Sequence, residues 1–145
     1  MNVKQTLACL VVATVFTAVG CSNSSDNTSS TLPTAPSSPL VTENFSGTVQ
    51  IGSNDSKPFT VTSDGSPITI DLTSAGPPAT ISMGFGVGTF AGGTCQLSSG
   101  GNTTAAAGPT PQLSGTISAG SYCFMVYDVG NQSGPITYTA VVNHY

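Results

Sequence analysis

The chain of 145 residues carries two Lys or Arg, six Asp or Glu and one His, a formal net charge of −4 at pH 7. With the first 20 residues set aside, the only cation is Lys57, against Asp26, Glu43, Asp55, Asp64, Asp71 and Asp128. Such a chain cannot neutralise a row of phosphates or build a polybasic membrane patch, which argues against nucleic acid as a partner.

The chain opens Met1-Asn2-Val3-Lys4-Gln5, and residues 7–20 read LACLVVATVFTAVG. One basic residue followed by a short apolar run is the pattern of a secretory signal. The run stops short of the ~20 apolar residues that a membrane-spanning helix needs. It ends Ala18-Val19-Gly20-Cys21, which resembles the lipobox of bacterial lipoproteins, with Ala18 where Leu is usual. The resemblance implies a signal peptide over 1–20 and a diacylglycerol on the Cys21 sulfur, with the freed amine acylated. Two or three chains suffice for stable anchoring, at ~0.8 kcal/mol per buried CH₂. Ser22 follows where Asp would imply inner-membrane retention, so the resemblance implies a cell-envelope location at the outer membrane, with the membrane itself as a partner through the lipid.

Residues 22–42, SNSSDNTSSTLPTAPSSPLVT, are nearly all Ser, Thr, Asn and Pro. A stretch like this cannot bury enough apolar surface to offset its ordering entropy, and prolines keep it extended. It reads as a tether. The folded part is expected over 43–145, about 100 residues, enough for one core.

Within that span Gly and Pro recur every ~8–12 residues, between short segments rich in β-branched and aromatic residues, the spacing of an all-β sandwich. The expected strands are 44–51, 57–62, 67–72, 80–87, 94–97, 112–117, 122–129 and 136–143. Alternation puts Ile68, Ile70 and Leu72 on one face, Phe59 and Val61 on another, and Tyr122, Phe124 and Val126 opposite Cys123, Met125 and Tyr127. The first-named sets should point inward, in about eight antiparallel strands forming two packed sheets. Gly84-Phe85-Gly86-Val87-Gly88 invites comparison with a phosphate-cradling loop, but neither a helix nor a Lys follows it. Glycines here signal close backbone approach and a bend.

Gly120-Ser121-Tyr122-Cys123-Phe124-Met125-Val126-Tyr127, then Ile136-Thr137-Tyr138-Thr139-Ala140-Val141-Val142, resembles the closing strands of the bacterial pre-peptidase C-terminal domain. Phe59-Thr60-Val61 and Ile68-Thr69-Ile70-Asp71-Leu72 fit its earlier strands, so the resemblance spans about 44–143. It implies a jelly-roll-like β-sandwich that serves as a non-catalytic accessory module. Here a lipid anchor and tether stand where that family has an enzyme.

Residues for chemistry are few. The only His, His144, lies next to the C-terminus, where fraying is the default, and no G-x-S-x-G elbow is present. A carboxylate pair for a small secreted hydrolase would have to come from Asp55, Asp64, Asp71 and Asp128. Asp55 and Asp64 read as turn residues, and Asp71 as an outward strand residue. Oxygens of Asp128, Asn131 and Gln132 make a weak Ca²⁺ candidate, with a self-capping hairpin loop as the plainer reading. With no His/Cys cluster, zinc is not expected, nor is any other cofactor. Tyr127, Tyr138 and Tyr145 are the aromatic candidates for contact with an envelope polymer or protein partner. Cys9 leaves with the signal and Cys21 takes the lipid, so Cys95 and Cys123 are left to pair, on the outside of the sandwich and not across its core.

Overall fold

The computed structural model describes residues 38–145. The expected signal peptide, Cys21 and the tether up to residue 37 lie outside the described residues. Eight strands follow one another: β1 (Val41–Val49), β2 (Asn54–Val61), β3 (Ser66–Gly76), β4 (Ser82–Ala91), β5 (Thr94–Ala106), β6 (Leu113–Ile117), β7 (Gly120–Tyr127) and β8 (Ile136–His144). All pairings are antiparallel, in two four-stranded sheets ordered β1-β8-β3-β6 and β2-β7-β4-β5. Pairing first with last, second with seventh, third with sixth and fourth with fifth is a long hairpin folded over on itself, the jelly-roll order.

The sheets meet through the alternate residues that the sequence marks as inward. Ile68, Ile70 and Leu72 from β3, Phe59 and Val61 from β2, and Phe124 and Val126 from β7 are all buried in one core. Aromatic rings tie its two halves. Phe45 of β1 stacks on Phe124 at 5.6 Å between centroids, and Phe124 meets Tyr138 of β8 edge-on at 6.3 Å. Contacts of this kind add ~0.5–1.5 kcal/mol each beyond their area burial.

Several boundaries differ from those expected. β1 starts at Val41, pairing with His144, so Val41 and Thr42 belong to the domain and not to the tether. β5 runs 13 residues where four were expected. Its distal half, Asn102 to Ala106, alternates small residues at a sheet edge, so no large apolar side chain announces it. Asp55 lies inside β2 and not in a turn.

β4 alternates Met83, Phe85 and Val87 toward the core with Gly84, Gly86 and Gly88 on the outer face. A Cβ at Gly84 would fall on the Tyr127 ring, one at Gly86 on the Gly101 carbonyl, and one at Gly88 on the Gln96 carbonyl. The absent side chains let β5 lie close over β4. The ladder slips there as well: Gly86 pairs with Asn102 and Gly88 with Leu97, so Ser98–Gly101 bulge opposite Val87 alone. Bulges bend and twist the strand that carries them.

This bend explains the disulfide. β5 and β7 flank β4, and two flat strand spacings would hold them ~9–10 Å apart. The Cα atoms of Cys95 and Cys123 are 5.7 Å apart, and the two are bonded. The bond passes over β4 on the outer face, opposite Phe124, as the alternation of β7 requires.

Gly88→Val should cost ~1–3 kcal/mol, since its Cβ meets backbone that has no room to give. Gly115→Ala, with nothing within 4 Å of the added Cβ, is the near-neutral control. Urea unfolding midpoints of the two variants check this, and equal midpoints would refute the close-approach role. Separately, the 28-residue separation of the cysteines corresponds to about 3.5 kcal/mol of loop-closure entropy. Cys95→Ser should therefore lower the melting midpoint by more than about 10 °C for a domain of this size. Scanning calorimetry without reductant reads that shift.

Candidate functional site

At the β1–β2 edge the sandwich is closed. The Tyr138 hydroxyl donates to Asp55 Oδ2 at 2.9 Å, and Lys57 Nζ lies 3.1 Å from the same oxygen. Burial, with the Asp55 carboxylate alongside, holds the Tyr138 phenol well above the ordinary tyrosine range. Gly47 pairs with Tyr138 and leaves room for that carboxylate. Tyr138 is thus a buried structural residue and not an exposed contact aromatic. The other two tyrosines named from sequence do not join it. The Tyr127 ring covers Gly84 on the outer face of its sheet, and Tyr145 is held at the chain end by Ser66.

His144 also departs from expectation. It does not fray: β8 lies between β1 and β3, which places the last strand inside its sheet. The imidazole is buried against Phe59, with 5.4 Å between centroids. Glu43 Oε1 is 3.9 Å from Nε2, beyond hydrogen-bond reach, and neither ring nitrogen has a partner. No serine or cysteine hydrogen-bonds to either nitrogen, so the geometry of a nucleophile and its base is not met.

Of the four carboxylates proposed for a hydrolytic pair, Asp55, Asp64 and Asp128 are each held by separate partners. Asp64 Oδ1 accepts from the Ala119 N–H at 2.9 Å, in the turn where sequence placed it. Asp128 Oδ2 accepts from Gly52 N–H at 2.8 Å, and Oδ1 from Gly130 and Asn131 N–H groups at 2.8 and 3.2 Å. The Gly52 N–H and its companions draw the Asp128 carboxyl below the usual range. The Asn131 amide donates to the Ser82 carbonyl at 2.9 Å. The loop therefore caps itself, and both Asp128 oxygens that sequence offered to Ca²⁺ are taken by backbone donors. Among the described residues no three His, Cys, Asp or Glu side chains gather in metal-binding geometry.

Asp71 faces outward from β3, opposite Val141, as expected. Its Oδ1 is nonetheless buried without a partner, and desolvation raises its pKa.

The opposite edge of the sandwich is open. Between β5 and β6 a cleft of about 360 Å³ reaches down to Ile68, Ile70 and Val87. Leu113, Ile117 and Tyr122 form its walls, and Ser98, Ser99, Ser114, Thr116 and Ser118 supply hydroxyls at its rim. The Ser98–Gly101 bulge makes one lip and β6 the other. Gly115 alternates inward with Leu113 and Ile117, so the missing side chain in mid-strand helps to open the cleft. No carboxylate, imidazole, amine or thiol lines it. Sequence reading placed Ile68, Ile70, Leu113 and Ile117 in strands but gave no sign of the cleft, which depends on two edges being apposed.

No family model matches the chain, and no curated protein matches it. Among solved structures it is similar to PliG of Aeromonas hydrophila, a periplasmic lysozyme inhibitor of g-type lysozyme. The identity is 15% and the TM-score 0.44, over 72% of this chain and 86% of that one.

Asp71 gives a pH test. Its folded pKa lies above the ordinary 3.8, so the native state binds the proton more tightly than the unfolded chain. Stability from this group falls as pH rises through that window, and the penalty is complete above it. Asp71→Asn should be more stable than wild type at pH 7, with the difference vanishing below 3.8. Asp128 acts in the opposite sense, its contribution being lost as pH falls through its depressed value. Denaturation of wild type and Asp71→Asn at both pH values decides the matter, and a variant less stable at pH 7 would contradict the desolvation.

Proposed function

We propose that this protein is a non-catalytic cell-envelope lipoprotein whose β-sandwich is a binding module for an uncharged ligand. The observation that carries the binding role is the β5–β6 cleft, with an apolar floor, a hydroxyl rim and no acid, base or thiol in its lining. Apolar clefts with a few placed polar groups are the usual form of ligand sites. The Cys95–Cys123 bond supports an oxidising compartment. The lipobox resemblance at Ala18–Cys21 supports an acylated Cys21 at the outer membrane. Residues 22–40 then separate the lipid from β1. The resemblance to pre-peptidase C-terminal domains supports an accessory role beside other envelope components.

Two experiments test the two halves of this reading. Radiolabelled palmitate should mark the wild-type chain and leave Cys21→Ser unlabelled; label on the variant would remove the anchor. For the cleft, the amide resonances of Leu113–Ile117 should move with at least one class of neutral probe, capped peptides or neutral oligosaccharides, without hydrolysis products appearing. Turnover of a probe, or no movement with either class, would reject the binding module.

A further inference from the structure

Of the four sheet edges, three are protected against another strand. β1 carries Glu43, and β2 carries Asp55, Lys57 and Pro58. β5 is interrupted by the Ser98–Gly101 bulge. Charge, proline and bulges are the devices by which edge strands avoid pairing with other chains. The fourth edge, β6, reads Leu113-Ser114-Gly115-Thr116-Ile117 and has none of them. It pairs with β3 alone over Ser66–Ile70, so alternate N–H and C=O groups along it point away from the sheet. That unprotected edge borders the neutral cleft.

We infer that the cleft takes an extended, uncharged peptide that adds to β6 as a fifth strand and drops alternate apolar side chains between β5 and β6. The inference rests on the cleft being the binding site, and specifies what enters it. A strand beside β6 lies ~4.8 Å away, so its inward side chains fall over the cleft between the two edges. Main-chain bonds then supply affinity and the side chains supply selectivity. The floor of Ile68, Ile70 and Val87 suits aliphatic groups, and the rim hydroxyls suit uncharged polar ones. A charged side chain there would be desolvated with nothing to pair it. A second copy of this chain is a poorer occupant. In a β6–β6 pair each copy's Leu113 and Ile117 line their own cleft, leaving both clefts empty. The five-residue length of β6 also gives a short ladder, suited to one peptide and not to open-ended stacking.

The test uses the ¹⁵N-labelled full-length chain and a capped hexapeptide of alternating valine and threonine. Two further peptides carry N-methyl groups on the valine amides or on the threonine amides, and chitotriose is the glycan probe. The unmodified peptide should shift the amides of Leu113–Ile117 and Ser98–Gly101 with a dissociation constant of about 1 mM or tighter. One N-methylated peptide, the one whose methyl groups face β6, should bind at least tenfold more weakly than the other, a difference of about 1.4 kcal/mol. Gly115→Val fills the middle of the cleft and should abolish the shifts while keeping a melting midpoint at or above wild type. Equal binding of all three peptides, or no shift with any, overturns strand addition. Chitotriose moving these amides while the peptide does not would overturn it too, yet leave the neutral binding cleft standing. Concentration-dependent dimers that broaden the β6 amides without peptide would make a second copy the occupant and also reject it.

Discussion

The middle of the outer face of β4 has no side chains, and much of the molecule follows from that. Gly84, Gly86 and Gly88 leave a bare track on the outer surface of their sheet, into which the Tyr127 ring and the backbone of β5 settle. Only because β5 rides so low over Gly88 can Cys95 come within bonding distance of Cys123, across an intervening strand. The Ser98–Gly101 bulge of β5 lies beside the same glycines and forms a lip of the cleft. A local absence of side-chain volume thus lies beneath a covalent link on one face and beside a lip of the cleft at the edge.

The sandwich is unequal at its two sides for a related reason. Toward β1 and β2, bulk is plentiful: Phe45 lies on Phe124, and Tyr138 spans to Asp55. The single cation of the described residues is spent there on Asp55. Toward β5 and β6, the inward positions shrink to Gly115 and to partly buried Leu113 and Ile117. The two sheets need not separate to make a cleft; they lack the side chains to fill the space between their edges. With the charges placed elsewhere, the lining of the opening is neutral.

All eight strands were legible in the sequence from the Gly and Pro that punctuate β-branched and aromatic segments, and alternation at Phe59–Val61, Ile68–Leu72 and Tyr122–Val126 marks the buried face of three of them directly. The cysteine pair was legible by elimination and by compartment. What escaped were features created by apposition of distant segments. Tyr138 shares the inward face of β8 with Ile136, Ala140 and Val142, but the Asp55 carboxylate that receives its hydroxyl comes from β2, through the space that Gly47 leaves. His144 looks terminal in the chain but is interior in the sheet, since the jelly-roll order brings the last strand between β1 and β3. The distal half of β5 was missed because Thr and Ala at an edge need no large side chain to stay in register.

The position of the cleft also fits the distribution of stability. β6 is held to the rest by one five-residue ladder with β3, and where that ladder ends the Gln112 side chain stands in for a strand, accepting from Leu72 N–H at 2.7 Å. Beyond it, Gln112 N–H donates to Ile70 O at 3.0 Å and Gly108 N–H to Leu72 O at 2.9 Å. The opposing sheet, in contrast, is fastened by the disulfide. Local opening draws on elements with few buried contacts, and sites that accommodate a ligand come from that end of the scale. A fifth strand beside β6 would give this weakest ladder a second neighbour. Binding would then stabilise the element that the unliganded fold supports least, and the rigid wall formed by β4, β7 and the disulfide would hold the other side of the cleft fixed while it did so.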